Sequence, residues 1–358
     1  LDATIGGIFK LDNKINGIIP SQQWIMRYLS EKGTNFKLNE FIAAFLNQIK
    51  VKFVERINNN EVELFKFFNQ YPAFKSHKQD IKKLFMSLYE NEKIQELLLK
   101  EVKDKLLTLL KTSLKDIYTD EEYKYLVEKI FEKKNFEMIF DYLYKIAFDK
   151  QYDFSNINSL DKLLELIFLD NENKPSLLVE KIFKNITSDE KIKELIFRLA
   201  NKYKLLENLS DEEKTKLLDL IPELVKTLDD SEQISLSLFK TLLPAILKFD
   251  LSKITEALSK WTNDLKDKYL GVDSKENVLK LIKAISKSQA FTNNKDLITK
   301  LLKNVYAFII EKYKFENIIW DKLPQNIKEK VTEATFKSAI FNILNNDKAI
   351  NFIIDLVY

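Results

Sequence analysis

The chain's only imidazole, His77, stands in the polar turn from Pro72 to Gln79, with Asp80 three residues on. A histidine beside a carboxylate can move a proton. General-base work also needs an orienting partner and a substrate pocket, and nothing at fixed spacing offers either, so His77 reads as a solvated turn residue. Carboxylates come in pairs: Glu121 with Glu122, Asp189 with Glu190, Glu212 with Glu213 and Asp229 with Asp230. Each pair is expected at a helix start, where negative charge complements the helix dipole. A calcium loop needs spaced oxygens around a central glycine; residues 149–161 carry Asp153, Asn156, Asn158 and Asp161 but no glycine.

With no Cys and one His, thiolate nucleophiles, zinc fingers, iron–sulfur ligation and any plan needing two imidazoles are excluded. Only five glycines are present, and Gly6-Gly7 precedes no Gly-Lys-Ser or Gly-Lys-Thr, so there is no phosphate cradle. No catalytic, cofactor-binding or metal-binding residue is therefore assigned, and no cofactor is expected. Lys and Arg number 57 against 54 acids, a net charge of +3, and the only arginines are Arg27, Arg56 and Arg198. Lysines act as point charges and not as bidentate clamps, so nucleic acid is not an expected partner. Lys50, Lys52, Lys82 and Lys83 are the nearest approach to a basic strip.

The positive feature is aromatic: 26 Phe, 14 Tyr and 3 Trp. Most of these rings must be inside, and bulky rings leave room for a hydrophobic groove. Trp24, Trp261 and Trp320 are accordingly the candidate residues for a hydrophobic ligand or partner surface.

From Leu38 onward, apolar residues recur at three and four spacing between short polar segments, which predicts helix almost throughout. Predicted helices include Leu38 to Ile57, Lys93 to Asp116, Phe136 to Phe148, Leu160 to Leu169, Lys295 to Tyr313, Gln325 to Leu344 and Asp347 to Val357. Thr119 with Glu122, Thr187 with Glu190 and Ser210 with Glu213 have capping-box spacing, and Asp230 with Gln233 is a weaker relative; each is worth about 1 kcal/mol. Pro222 and Pro244 should kink or divide their helices. No apolar stretch approaches the ~20 residues of a membrane span. The expected class is all-α, an irregular multi-helix bundle or array of helical hairpins.

One pattern recurs. Residues 83–99, KLFMSLYENEKIQELLL, align without a gap with 181–197, KIFKNITSDEKIKELIF, and more loosely with 338–354, SAIFNILNNDKAINFII. Each reads as a helix, a polar turn with a cap from Thr187 or a neighbouring Asn, and a second helix facing the first. The starts at 83, 181 and 338 keep no fixed period, so no regular solenoid is expected. Polar breaks suggest an irregular appendage over 1–37, a helical subdomain over 38–155 and a second over 156–358 packed against it; Gly271 to Lys275 is a further break.

Lys-, Asn- and Phe-rich helices almost without Gly, Pro, Arg or Cys resemble the large helical surface and lipoprotein-type proteins of mycoplasmas. The resemblance covers the chain in style and rests on no diagnostic motif. It implies an exported protein serving attachment, protein contacts or lipid acquisition. The start at Leu1 is expected to reflect removal of an upstream segment, and the location to be a cell surface, held by a membrane anchor outside this chain; a cytoplasmic location is the alternative. The expected function is a non-enzymatic scaffold or surface protein-interaction module with a protein partner. A carrier of a lipid or other hydrophobic ligand is the alternative, and an uncharacterised hydrolase comes third.

Overall fold

Leu38–Ile57, Leu160–Leu169, Lys295–Tyr313 and Asp347–Val357 are helical over the bounds their apolar spacing predicts. In this computed structural model, residues 6, 9–13, 17–57, 60–248, 251–270 and 275–357 are described. They form twenty-two α-helices and no strand, an all-α protein. Scarce glycine leaves its mark on the connections. Gln233 and Lys314 end Asp211–Glu232 and Lys295–Tyr313 in the left-handed region, at φ 52° and 44°, where a glycine would be unstrained.

Capping separates into two that hold and two that differ. The Thr119–Glu122 and Ser210–Glu213 boxes are both closed, backbone amide to side chain in each direction. Before Glu190–Lys202, however, the cap is Asp189, whose Oδ1 accepts from the Ile192 amide at 3.0 Å. Thr187 instead donates back to the Phe183 carbonyl, inside the preceding helix. A carboxylate one residue before the first turn reaches orphan amides that Thr187, two residues further back, does not. Asp229 and Asp230 lie in the last turn of Asp211–Glu232, not at a helix start, and Asp230 pairs with Lys226 at 2.8 Å.

Helix Asp211–Glu232 continues across Pro222 and Ile234–Leu247 across Pro244; Leu217, Leu218 and Pro222 are buried, and this packing offsets the bond lost at the proline. The predicted Gln325 to Leu344 helix is broken into Gln325–Lys328 and Glu333–Leu344. Two predicted helices contain a π-helical turn, Gln95–Leu99 and Lys145–Asp149, each holding an extra residue per turn.

The chain divides into two compact units. Unit 1 comprises Leu1–Leu106, Phe131–Leu178 and Ile234–Asp264; unit 2 comprises Leu107–Ile130, Val179–Gln233 and Leu265–Tyr358. The boundaries drawn from the sequence at 37/38 and 155/156 both fall inside unit 1; of the further break, residues 271–274 lie outside the described residues. In unit 1, Leu64 and Phe65 of Glu61–Gln70 are buried, as are Leu163 and Ile167 of Leu160–Leu169. The π turn Lys145–Asp149 is tied to this core by buried Asn69, whose side-chain amide donates to the carbonyls of Ala147 and Lys150 at 3.0 and 2.6 Å. In unit 2, Leu206, Leu209, Leu217 and Leu297 form a buried cluster.

Candidate functional site

The three aligned stretches fold alike. Each is a helix, a short turn and a second helical segment: Lys78–Glu90 followed by Glu92–Ile94, Pro175–Thr187 followed by Glu190–Lys202, and Glu333–Leu344 followed by Asp347–Val357. The cap falls at the same aligned position each time. Asn91 accepts from the amides of Lys93 and Ile94, Asp189 from that of Ile192, and Asn346 from that of Lys348. A short Asx side chain there satisfies first-turn donors, and this is why the chain reverses locally without glycine.

What differs is which faces are covered. Ile186 and Leu195 of the middle pair, one from each helix, are only 8% and 1% exposed. The aligned Leu88 and Leu97 of the first pair are 54% and 61% exposed, and the aligned Ile343 and Phe352 of the third are 60% and 63%.

Segment 114–130 lies over the middle pair, and its bonds are specific. The Tyr118 hydroxyl donates to the Leu195 carbonyl at 2.6 Å, and the Tyr125 hydroxyl reaches both Asp189 oxygens at 3.1 and 3.0 Å. Arg198 donates to both oxygens of Glu122 at 2.7 and 2.8 Å, and Lys129 lies 3.4 Å from Asp189. Lys191 sits 4.4 Å from the centre of the Tyr125 ring. Titration follows these contacts. Glu122 is held below the usual glutamate range, first by the Thr119 amide and then by Arg198. Burial acts to raise Asp189, but the Ile192 amide, the Tyr125 hydroxyl and Lys129 outweigh it and leave its value lowered. Burial pushes Tyr118 up to about 12.

The first and third pairs are held through other residues. In unit 1, Phe85 meets Phe140 at 5.3 Å and Tyr89 meets Phe136 at 4.4 Å, while the Tyr89 hydroxyl donates to the Phe131 carbonyl. In unit 2, the Tyr306 hydroxyl donates to the Leu344 carbonyl at 3.0 Å. These bonds fix the pairs and leave Leu84, Leu88 and Leu97, and Ile343, Phe352 and Leu356, exposed.

The three tryptophans each have their own local partners. Trp24 stacks on Tyr28 at 5.5 Å and meets Phe41 and Phe45. The Trp261 indole donates to the Ile234 carbonyl at 3.2 Å. Trp320 packs on Phe336 at 5.5 Å with Lys328 near its face. His77 is exposed beside Asp80 at 3.3 Å, at the junction of Pro72–Ser76 and Lys78–Glu90. Asp153 accepts from the Ser155 amide two residues on, a turn closing on itself. Among the described residues, no group of three or more His, Cys, Asp or Glu side chains could hold a metal ion.

Two clefts in unit 2 have volumes of about 490 and 680 Å³. Lys202, Lys204, Glu207 and Glu311 stand in the first, and Glu212, Lys216, Lys295 and Asp296 in the second. A third, about 520 Å³ in unit 1, sets Phe67, Tyr71 and Pro72 beside Lys10, Asn13 and Gln70. Charged walls of this kind bind water and ions more readily than an acyl chain.

Fold and site together define an irregular all-α protein of recurring, Asx-capped helical pairs, two of them apolar on an uncovered side. Comparison with known protein families, with curated proteins and with solved structures finds no match for the chain.

Proposed function

We propose that the chain is a non-enzymatic helical scaffold that docks partner proteins on the uncovered faces of its first and third helical pairs. One observation carries the reading: the aligned apolar positions buried in the middle pair, Ile186 and Leu195, are exposed in the other two. An apolar patch beyond the scattered single residues of an ordinary surface marks an interaction site. The middle pair also defines the chemistry of a fitting occupant, a segment with aliphatic and tyrosine side chains that can reach the carbonyl next to the apolar contact. A setting at a cell surface, with an anchor outside this chain and a role in attachment, extends the same reading and is supported by the mycoplasma-like character of the sequence. The carrier alternative has less support, because charged side chains line both unit 2 clefts.

The test places a photo-reactive residue at position 88 or 343 of the full chain in cells that produce it. The expected result is an adduct of reproducible mass at each position, lost when Leu97→Glu or Phe352→Glu is added. Adducts that persist in those variants, or none at either position, overturn the reading.

A further inference from the structure

In the middle pair, segment 114–130 lies over one strip of helix Glu190–Lys202, made by Lys191, Leu195, Arg198 and Leu199. The third pair repeats that strip on Asp347–Val357 as Lys348, Phe352, Asp355 and Leu356, in the same register from the Asx cap. At 3.6 residues per turn the four positions fall within an arc of ~100°, so they share one face. All four are exposed, Phe352 and Leu356 at 63% and 69%, and among the described residues Lys348 and Asp355 make no ion pair. No described helix is long and apolar enough to cross a membrane.

The covered strip shows what such a face accepts. The Tyr125 ring lies against Lys191 with its hydroxyl on the cap Asp189, Tyr118 donates to the Leu195 carbonyl, and Glu122 meets Arg198. Spacings of four and three put residues 118, 122 and 125 on one side of the occupant. On the third pair the same places recur with one change of sign. Asn346 and Lys348 stand where Asp189 and Lys191 hold Tyr125, and Phe352 where Leu195 offers its carbonyl. An Asn cap can donate its amide N–H to the tyrosine oxygen where Asp189 accepts. Asp355 stands where Arg198 does, so a glutamate brought there meets a carboxylate. Segment 114–130 of a second copy is therefore the wrong occupant, and a lysine or arginine is the right residue at that place. The first pair keeps no such register, because the π turn Gln95–Leu99 adds a residue between the cap Asn91 and Lys100.

We propose that the outer strip of Asp347–Val357 docks a helical segment of another protein with a tyrosine, a lysine or arginine four residues on, and a second tyrosine three further. The inference rests on the third pair being a docking face and specifies what it takes. The first tyrosine reaches the Phe352 carbonyl, the cation meets Asp355, and the second tyrosine lies against Lys348 with its oxygen at Asn346.

The test measures, by fluorescence anisotropy, binding to the full chain of a peptide with the sequence of residues 114–130 and of the same peptide carrying Glu122→Gln or Glu122→Lys. The expected affinity is highest for the Glu122→Lys peptide and lowest for the unchanged one, about 3- to 10-fold apart. Asp355→Lys in the protein should reverse that order. Phe352→Glu should remove binding, and both variants should keep the parent's circular dichroism, because the replaced side chains are exposed. Glu122 also caps its own helix, but any change in peptide helicity acts equally on both proteins, so the reversal isolates the charge contact. Absence of binding, an order that Asp355→Lys leaves unchanged, or binding kept by Phe352→Glu overturns the proposal. Preference of the parent chain for the unchanged peptide also overturns it, and would make a second copy of the chain the occupant. A reproducible adduct at position 343 beside any of these results would leave the third pair a docking face for a partner of other chemistry.

Discussion

Arg198 holds both carboxylate oxygens of Glu122, at 2.7 and 2.8 Å, from a position 76 residues away in sequence. The same Glu122 closes a capping box with Thr119, so one carboxylate both starts helix Asp120–Ile130 and fastens it to Glu190–Lys202. Both bonds come from one nitrogen, Nη1, while Nη2 donates to Glu194 at 2.9 Å, so the guanidinium bridges two carboxylates at once. One of the chain's three arginines is spent here.

Acid should loosen this junction first. Glu122 and Asp189 both titrate below their ordinary values of 4.5 and 3.8. A lowered folded-state value gives stability that is complete above the ordinary value and lost as pH falls through the lowered one. Urea midpoints measured across that window should drop for the parent chain and drop less steeply for Glu122→Gln, which begins from a lower midpoint at neutral pH. Identical slopes would contradict the assignment.

Alkali should act through Tyr118, whose value stands at about 12 because of burial, against an ordinary 10. The sign is the reverse: the stabilising contribution is whole below 10 and disappears as pH rises through about 12. Tyrosinate absorbance should show Tyr118 among the last rings to ionise before unfolding. Tyr118→Phe should remove that ring from the titration. Tyr152, also raised to about 12 by burial, should behave likewise in Tyr152→Phe.

Aligned leucines should differ in cost. Leu195→Ala, at a position 1% exposed, should destabilise unit 2 by about 2–5 kcal/mol. Leu97→Ala, at the matching position of the first pair, should stay within about 0.5 kcal/mol of the parent. Chemical denaturation of both variants in the absence of partners measures the contrast, and equal losses would show that the first pair is covered after all.

Asn69→Ala should cost about 1–3 kcal/mol, because it removes the bonds that the Asn69 amide donates to the carbonyls of Ala147 and Lys150 at the end of the π turn. Thermal unfolding gives the figure. Hydrogen exchange should localise the loosening to residues 145–150.

Helix existence was legible because apolar spacing is a local property. Lys295–Tyr313 could be bounded from its own residues. The π turn at Lys145–Asp149 could not, since a stripe with one extra residue still reads as a stripe. Thr187 was misread for a related reason: spacing to Glu190 fits a box, but Asp189 sits closer to the free amides and takes them. The recurring pair was visible in the letters, including the aligned Asn91, Asp189 and Asn346. Which copies keep an uncovered face was not, because Tyr118, which bonds the Leu195 carbonyl, lies 77 residues away and nothing around Leu195 in sequence announces it. Of the three tryptophans offered as a hydrophobic surface, Trp261 donates its indole N–H to a backbone carbonyl of its own unit, a partner 27 residues away that local sequence does not indicate.

The threading of the two units through one another along the chain bears on how the polypeptide is made. A nascent chain leaving the ribosome has all of unit 1 only once Asp264 has emerged, by which point unit 2 has its first two segments, Leu107–Ile130 and Val179–Gln233, but not the third, which begins at Leu265. Unit 1 therefore has its whole sequence available first, while unit 2 still lacks its last segment. For the same reason, no single proteolytic cut releases a self-sufficient half.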